Sequence, residues 1–567
     1  MNNQRNTMLA VVLSLIVLLG WSFVQERLFP TPAPSTKVVE GKEVALPKPE
    51  AAPDAPAQVR DRRVVLAESP RVAIASPRLA GSIALRGARI DDLVLLTHRE
   101  TIKPDSPPIR LLSPGGTKDA YFAAFGWTGD AALLPGPDTL WTADGATLAP
   151  GRPVTLRWDN GRGQRFVMLV AVDEQYMFTV RQRIENSGPA AFTARPYALV
   201  SRVGVSKDPS SWTMHTGPIG TFNGSTDYSV DFSDLDEAGE AGRRFTSTGG
   251  WIGFGDHYWQ TALVPDQRAR VDAGFRAGAG GRYQADVAAP TLSVAPGQAA
   301  TTEQRFFAGA KEVRVLDAYE AGGIARLDRA IDWGWFVWFE KPIFYLLDWL
   351  FHQVGNFGVA IILLTCIVRA FLFPVAQRQF QSMASMRKVQ PKMKALQERW
   401  KDDKPRFQQE MMKLYQEEKV NPLAGCLPIL IQMPIFFALY KVLSLSIEMR
   451  HQPFVLWLRD LSAPDPLTPV NLFGFLPFDP PGLLHIGVLA ILLGVTMWLQ
   501  MKLSPTPGMD PVQQQIMMLM PWMLMLFFAP LAAGLQLYYV MNNILTIAQQ
   551  WWLYQRIPGL KDEPVKT

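Results

Sequence analysis

Several long apolar runs, each close to the length of one bilayer crossing, limit what this chain can fold into more than any other feature. Residues 357–375, 426–447 and 483–501 each approach the roughly 20 apolar residues that one helical crossing needs. A last apolar stretch, 516–552, is too long for a single helix, and Pro530 and Gly534 break it near its middle into two. With a further apolar segment at 8–24, these runs predict six spans. Charged residues make up only 19% of the chain, but it is the crowding of apolar residues into a few runs that signals a membrane.

Arg5 precedes the segment 8–24, and Gln25, Glu26 and Arg27 follow it. A cleaved signal peptide would need small residues where Trp21, Ser22 and Phe23 stand, so an uncleaved anchor is the favoured reading. Positive charge tends to stay inside, which puts the N-terminus in the cytosol and exports the chain beyond this anchor. An even number of spans returns the C-terminus to the cytosol, in keeping with Arg556, Lys561 and Lys566. The formal net charge of +5 comes from local basic segments and points to membrane orientation ahead of nucleic acid. Cys366 and Cys426, the only two cysteines, sit in or beside apolar runs, so no disulfide framework is implied. The exported part must hold together by core burial alone.

The organisation predicted from these shifts is an anchor at 1–28, a Pro/Ala-rich tether at 29–60 and a large antiparallel β-sandwich at 61–320. Beyond it come an interfacial amphipathic helix at 321–355, a helix bundle at 356–555 and a cytosolic tail at 556–567. Alternating runs at 165–172, 177–184 and 283–287 mark strands, with turn signals at Asn186-Ser187-Gly188-Pro189 and Pro296-Gly297. The segment 324–352 mixes Trp333, Trp335, Trp338 and Trp349 with Asp328, Arg329, Glu340 and Asp348. That mixture suits the headgroup zone, the alternative being a buried helix of the sandwich.

Arg369 lies inside a predicted span, where an unpartnered arginine costs roughly 2.5 kcal/mol or more. Either it has a function there, or its long side chain snorkels to the cytosolic end about one and a half turns away. Thr365, four residues earlier, shares its helical face. Gln432, Tyr538, Tyr539, Asn542 and Asn543 add polarity from other spans. Together they could line a watery recess, and singly each could serve as a hydrogen bond between helices.

Between the second and third spans, residues 377–421 are charged and basic on balance. Met386, Val389, Met393, Leu396 and Trp400 recur at three and four, as do Phe407, Met411, Leu414 and Glu418. This predicts a helical hairpin, with Asp403 capping the second helix, Pro405 in its first turn and Pro391 kinking the first. Its basic face suits lipid headgroups or ribosomal RNA, unless the hairpin only packs on itself. Met433, Met497, Met517, Met518, Met520, Met523 and Met525 give the spans pliable apolar surfaces.

Ile367-Val368-Arg369, Gln390-Pro391-Lys392, Asn421-Pro422-Leu423-Ala424-Gly425-Cys426, Gln432-Met433-Pro434-Ile435-Phe436, Asp460-Leu461-Ser462 and Gly534-Leu535-Gln536-Leu537-Tyr538-Tyr539 occur in that order over about 330–555. In these stretches the chain resembles the YidC/Oxa membrane protein insertase family, in its Gram-negative form, and the anchor and sandwich extend the likeness over nearly the whole length. The resemblance implies a hydrophilic groove open to cytosol and lipid, with Arg369 at its centre and Thr365 and Gln432 lining it. Tyr538, Tyr539 and Asn542 would complete the groove, and Met433, Phe436 and Met523 would form a greasy slide beside it. It also implies a sandwich of the sugar-binding super-sandwich type that is dispensable for most insertion. The partners it implies are nascent membrane proteins, the bilayer, the Sec translocon, the signal recognition receptor and the ribosome. Two departures stand out: the exported loop after Ser462 is long and proline-rich, and the tail is short and only mildly basic.

An insertase of this kind lowers the barrier for polar segments while the client's own apolar segment supplies the driving force. No GxxxxGK[ST] stretch or metal-ligand spacing is evident, so no cofactor, no metal, no small-molecule substrate and no covalent catalysis are expected. The rival readings are a tethered carbohydrate-binding or carbohydrate-active protein, with Trp212, Trp251, Trp259, His215 and His257 as its candidates, and a transporter. No paired carboxylates favour the first, and no duplicated halves favour the second.

Overall fold

The computed structural model describes residues 59–207, 214–400, 403–418, 427–473, 475–476, 478, 485–503 and 511–556. The anchor expected at 1–28, most of the tether, Trp212, Cys426 and the tail beyond Arg556 lie outside them. The described chain falls into two compact units, divided between Asp332 and Trp333.

The first unit is built from strands whose side chains alternate in and out. In Gln164–Val172, Phe166, Met168, Val170 and Val172 are buried while the residues between them are not. Met177–Asn186 lies between this strand and Gln298–Ala310, in a sheet of nine strands. Phe192–Val203 lies between Tyr121–Thr128 and Arg282–Ala288, in a sheet of eleven. The three strands read from sequence are thus present. The two predicted turns meet, with the Gly297 amide donating to the Asn186 carbonyl at 2.7 Å. The sheets are antiparallel except where Arg71–Ala75 pairs in parallel with Thr147–Leu148. Three short helices, α1 Arg62–Ala67, α2 Phe232–Ala238 and α3 Val313–Ala321, complete the unit.

The second unit is helical: α4 Val337–Val354, α5 Phe357–Arg399, α6 Lys404–Glu417, α7 Leu427–Leu445, α8 Val488–Leu503, α9 Pro511–Phe528 and α10 Ala533–Arg556. The helix expected over 324–352 begins only at Val337. Gly322 and Gly323 end α3, and two 3-10 turns, Leu327–Ala330 and Gly334–Phe336, precede α4. Gly334 has φ of 68°, a conformation that breaks a continuing helix. α4 buries Ile343, Phe344 and Leu347 and leaves Trp338 and Trp349 exposed.

A second difference concerns the border of the hairpin. No separate helix starts at 377, because α5 runs unbroken for 43 residues with Pro374 and Pro391 inside it. The hairpin forms all the same. Asp403 caps α6 by accepting from the Arg406 amide at 3.1 Å, with Pro405 in the first turn. Val389, Met393 and Leu414 are buried together between the two helices, flanked by Met411 and Tyr415.

One segment ties down three helix starts. The Asn356 side chain caps α5 by accepting from the Val359 amide and donates to the Phe454 carbonyl at 3.0 Å. Asp465 accepts from the Leu489 amide at 2.8 Å, capping α8. The carbonyls of Leu461 and Ala463 accept from the Gly534 and Ala533 amides, both at 2.8 Å, capping α10. The C-terminal ends of α7 and α9 lead into the same region, so α5, α8 and α10 run one way and α7 and α9 the other. The Gln536 side-chain amide, wholly buried, donates to the carbonyls of Phe528, Ala529 and Leu531 where α9 ends.

Among the described residues, Phe357–Arg378 is the one helical stretch long and apolar enough to cross a bilayer by itself. Met433–Leu445, Val488–Leu503 and Gln515–Phe528 are shorter apolar helices. α10 has the length but carries a polar stripe.

Candidate functional site

Helix α10 packs against α5, α7 and α8, and its polar stripe lies among them. Tyr538, Asn542, Thr546 and Gln550 succeed one another at four-residue steps, so they stack on one helical face, and all four are buried. A buried polar group must find a partner or cost free energy. Asn542 finds its partner on a neighbouring helix, in Arg369, and Thr546 finds one in its own.

Arg369 stands about 18 Å along α5 from Phe357, at 1.5 Å per residue. Its Nε donates to Asn542 Oδ1 at 2.8 Å, and Nη2 lies 3.5 Å from the Asn542 carbonyl. That carbonyl also accepts from the Thr546 hydroxyl at 2.6 Å. One turn back, Thr365 is buried and spends its hydroxyl on the Ile361 carbonyl at 2.7 Å. Asn543 donates to Thr496 Oγ1 at 3.1 Å and so links α10 to α8. Among the described residues, no carboxylate lies within ion-pair distance of the Arg369 guanidinium.

The remaining residues singled out from sequence fall into two groups. Tyr538 is fully buried, with its ring 5.2 Å from that of Tyr539. Tyr539 contacts Phe528 at 4.7 Å and Phe436 at 5.5 Å, an aromatic cluster where α7, α9 and α10 meet. Met433 and Met523 are exposed on the flanks of α7 and α9. The Gln432 side chain is outside the described residues. Thr496, Thr546 and Gln550 are not among the residues singled out from sequence, and Gln536 is named there only within a matching stretch; the four-residue recurrence after Tyr538 is the signal that could have found Thr546 and Gln550.

Three of the residues a sugar site would use have partners within the domain. Trp251 is buried and donates its indole N–H to the Arg326 carbonyl at 3.2 Å. His215 has a ring nitrogen 2.8 Å from the Pro218 carbonyl, and burial lowers its pKa. His257 stacks on Tyr258 at 3.9 Å.

Residues 71–346 match the family described as YidC periplasmic domain, and residues 349–561 match the 60Kd inner membrane protein family. A membrane protein insertase YidC of Zymomonas mobilis is 50% identical over 98% of this chain and 96% of its own. One of Methylobacterium radiotolerans is 45% identical over 99% and 96%. Among solved structures, an active YidC insertase with its first transmembrane domain resolved is similar at 18% identity and a TM-score of 0.37, over 85% of this chain and 92% of that one. A putative aldose 1-epimerase of Escherichia coli K12 is similar at 11% identity and a TM-score of 0.28, over 42% and 98%. Sequence matches at 45–50% identity along nearly the full length leave one conclusion: the chain belongs to the YidC family of membrane protein insertases, integral to the membrane and carrying a periplasmic domain.

Proposed function

We propose that this insertase receives the polar tail of a nascent membrane protein at a notch centred on Arg369, while the client's apolar segment passes along Met433, Phe436 and Met523 into lipid. The observation that carries the reading is the arginine held by Asn542 on the inner side of the bundle, with no carboxylate beside it among the described residues. Guanidinium has five N–H donors, and Asn542 engages two nitrogens from one side, so an edge is left that can take a carboxylate with two parallel bonds. An acidic residue of the client supplies that carboxylate.

The energetic logic rests on the cost of bare peptide groups in hydrocarbon, several kcal/mol each. Thr365, Gln432, Tyr538, Tyr539 and Asn542 offer such groups alternative partners part-way across, which shortens the dry path. Partition of the client's apolar segment then drives the process forward, at roughly 25 cal/mol per Å² buried.

The topology belonging to this proposal has six spans: an anchor within 1–28 and helices α5, α7, α8, α9 and α10. Both termini are cytosolic and the domain at 61–320 is periplasmic. Lys502 over the Trp498 ring at 5.0 Å and Arg556 over Trp552 at 4.5 Å support it, since cation and aromatic pairs at helix ends suit the headgroup level. The hairpin spanning 377–421 would then meet the ribosome, the signal recognition receptor or the Sec translocon from the cytosol. The test compares Arg369→Ala with the unaltered protein in vesicles. Clients with acidic tails should lose at least tenfold in insertion and clients with neutral tails much less; equal insertion of both removes the arginine from the mechanism.

A further inference from the structure

The loop between α7 and α8 carries a feature that insertion through the notch does not use. From Pro466 to Phe478 the sequence has no charged residue. Leu472, Phe473, Phe475, Leu476 and Phe478 are all exposed, Phe475 at 87%. Soluble surfaces seldom gather so many large apolar side chains at one tip.

Among the described residues of this tip, six backbone amides are satisfied within the tip. The Val470 amide donates to Thr468 Oγ1 at 3.2 Å, that of Leu472 to the Pro469 carbonyl at 3.0 Å, and that of Phe473 to the Thr468 carbonyl at 2.9 Å. The amides of Phe475, Leu476 and Phe478 donate to the carbonyls of Leu472, Asn471 and Leu476 at 3.3, 3.0 and 2.9 Å. Two proline positions, 469 and 477, have no amide proton to satisfy. A knob that is greasy outside and internally hydrogen-bonded meets the condition for irregular backbone at membrane depth. Leu472 and Phe473 adopt φ of 50° and 59°, a region costly for large side chains, and both are exposed.

The base of the loop sets its level. It caps α8 and α10 through Asp465, Leu461 and Ala463. Counted at 1.5 Å per residue from the Arg369–Asn542 contact, α5 begins about 18 Å away and α10 about 14 Å away, so the cap lies a few ångströms below the start of α5. We infer that the loop tip formed by Leu472, Phe473, Phe475, Leu476 and Phe478 is a membrane-dipping knob that seats these apolar side chains among the acyl chains of the periplasmic leaflet. The inference rests on the topology proposed above for its choice of leaflet. Bilayer is favoured over protein as the occupant because the described tip residues carry no charge and adjoin helices that the proposed topology places in lipid.

The experiment uses the full-length protein in vesicles whose phospholipids bear a diazirine, either near the carbonyl or at the end of one acyl chain. After photolysis, labelled residues are mapped by mass spectrometry. Phe473, Phe475, Leu476 and Phe478 should be labelled as heavily as Trp522 and Met523 on α9, and at least threefold more by the shallow probe than by the deep one. Unlabelled tip residues beside a labelled α9 overturn the inference and leave the spans intact. An unlabelled α9 would instead overturn the bundle topology. Heavy labelling of the tip by a water-soluble diazirine likewise overturns the inference. Phe475→Asp should cut shallow labelling of the tip at least threefold without changing that of α9, and unchanged tip labelling in that variant counts against it.

Discussion

Arginine presents its donors in a rigid fork, so one asparagine can fix its plane as well as its position. Lysine, a flexible point charge, cannot reproduce that geometry. Arg369→Lys should therefore keep part of the activity toward acidic tails, a threefold to tenfold loss against the larger loss for alanine, read as inserted fraction in vesicles. Asn542→Leu removes the acceptor and leaves a charged donor in a buried setting, which costs on the order of 1–3 kcal/mol. Thermal unfolding of the bundle should fall accordingly, and an unchanged midpoint would show that Asn542 holds nothing. In the sandwich, burial alone would raise the Glu312 pKa, but hydrogen bonds from His98, Arg78 and Tyr176 together outweigh it and lower the carboxyl to about 2. A depressed acid contributes stability that is complete above its unfolded value near 4.3 and is lost as the pH falls toward 2. Wild type should lose on the order of 3 kcal/mol more than Glu312→Gln between pH 5 and pH 2, measured by urea unfolding of the sandwich.

At the level of elements, the hairpin illustrates what a one-dimensional pattern can convey. Periodic Val389, Met393, Met411 and Leu414 identify its inner face, and Asp403 with Pro405 marks the start of α6, because both signals are local. The border expected at 377 is displaced for an equally local reason: the change from apolar to charged residues reads as an end, yet a helix can pass from lipid to water without a break. Glycines decide the other difference, since Gly322, Gly323 and Gly334 interrupt a run whose aromatic and charged residues look continuous. Leu414→Ala should destabilise the hairpin by roughly 2–4 kcal/mol, the usual cost of truncating a buried leucine. Faster hydrogen exchange confined to α6 and the last turns of α5 would display it. Removing 377–418 altogether should abolish insertion in reconstituted vesicles, and survival of activity would deny the hairpin any part in it.

For the molecule as a whole, long apolar runs and alternating strands make the two architectures legible, since each arises from a single period. The candidate site is legible as a set of names and not as a map: Arg369, Thr365, Tyr538 and Asn542 can be picked out from sequence, but that Asn542 is what holds the arginine depends on packing between two residues 173 positions apart. Residues 59–332, expressed alone, should unfold in one cooperative step, because their core is complete without cysteine or helix bundle. α5 joins the proposed notch to the hairpin as one continuous helix, about 45 Å along its axis from Arg369 to Arg399, with Pro374 and Pro391 inside it. Had a coil stood at that border, a tug on the outer tip would be dissipated in slack. A continuous helix keeps some of that tug, less what bending at Pro374 and Pro391 absorbs, so under the proposed mechanism a partner on the hairpin has a helical route to the charge at the near end.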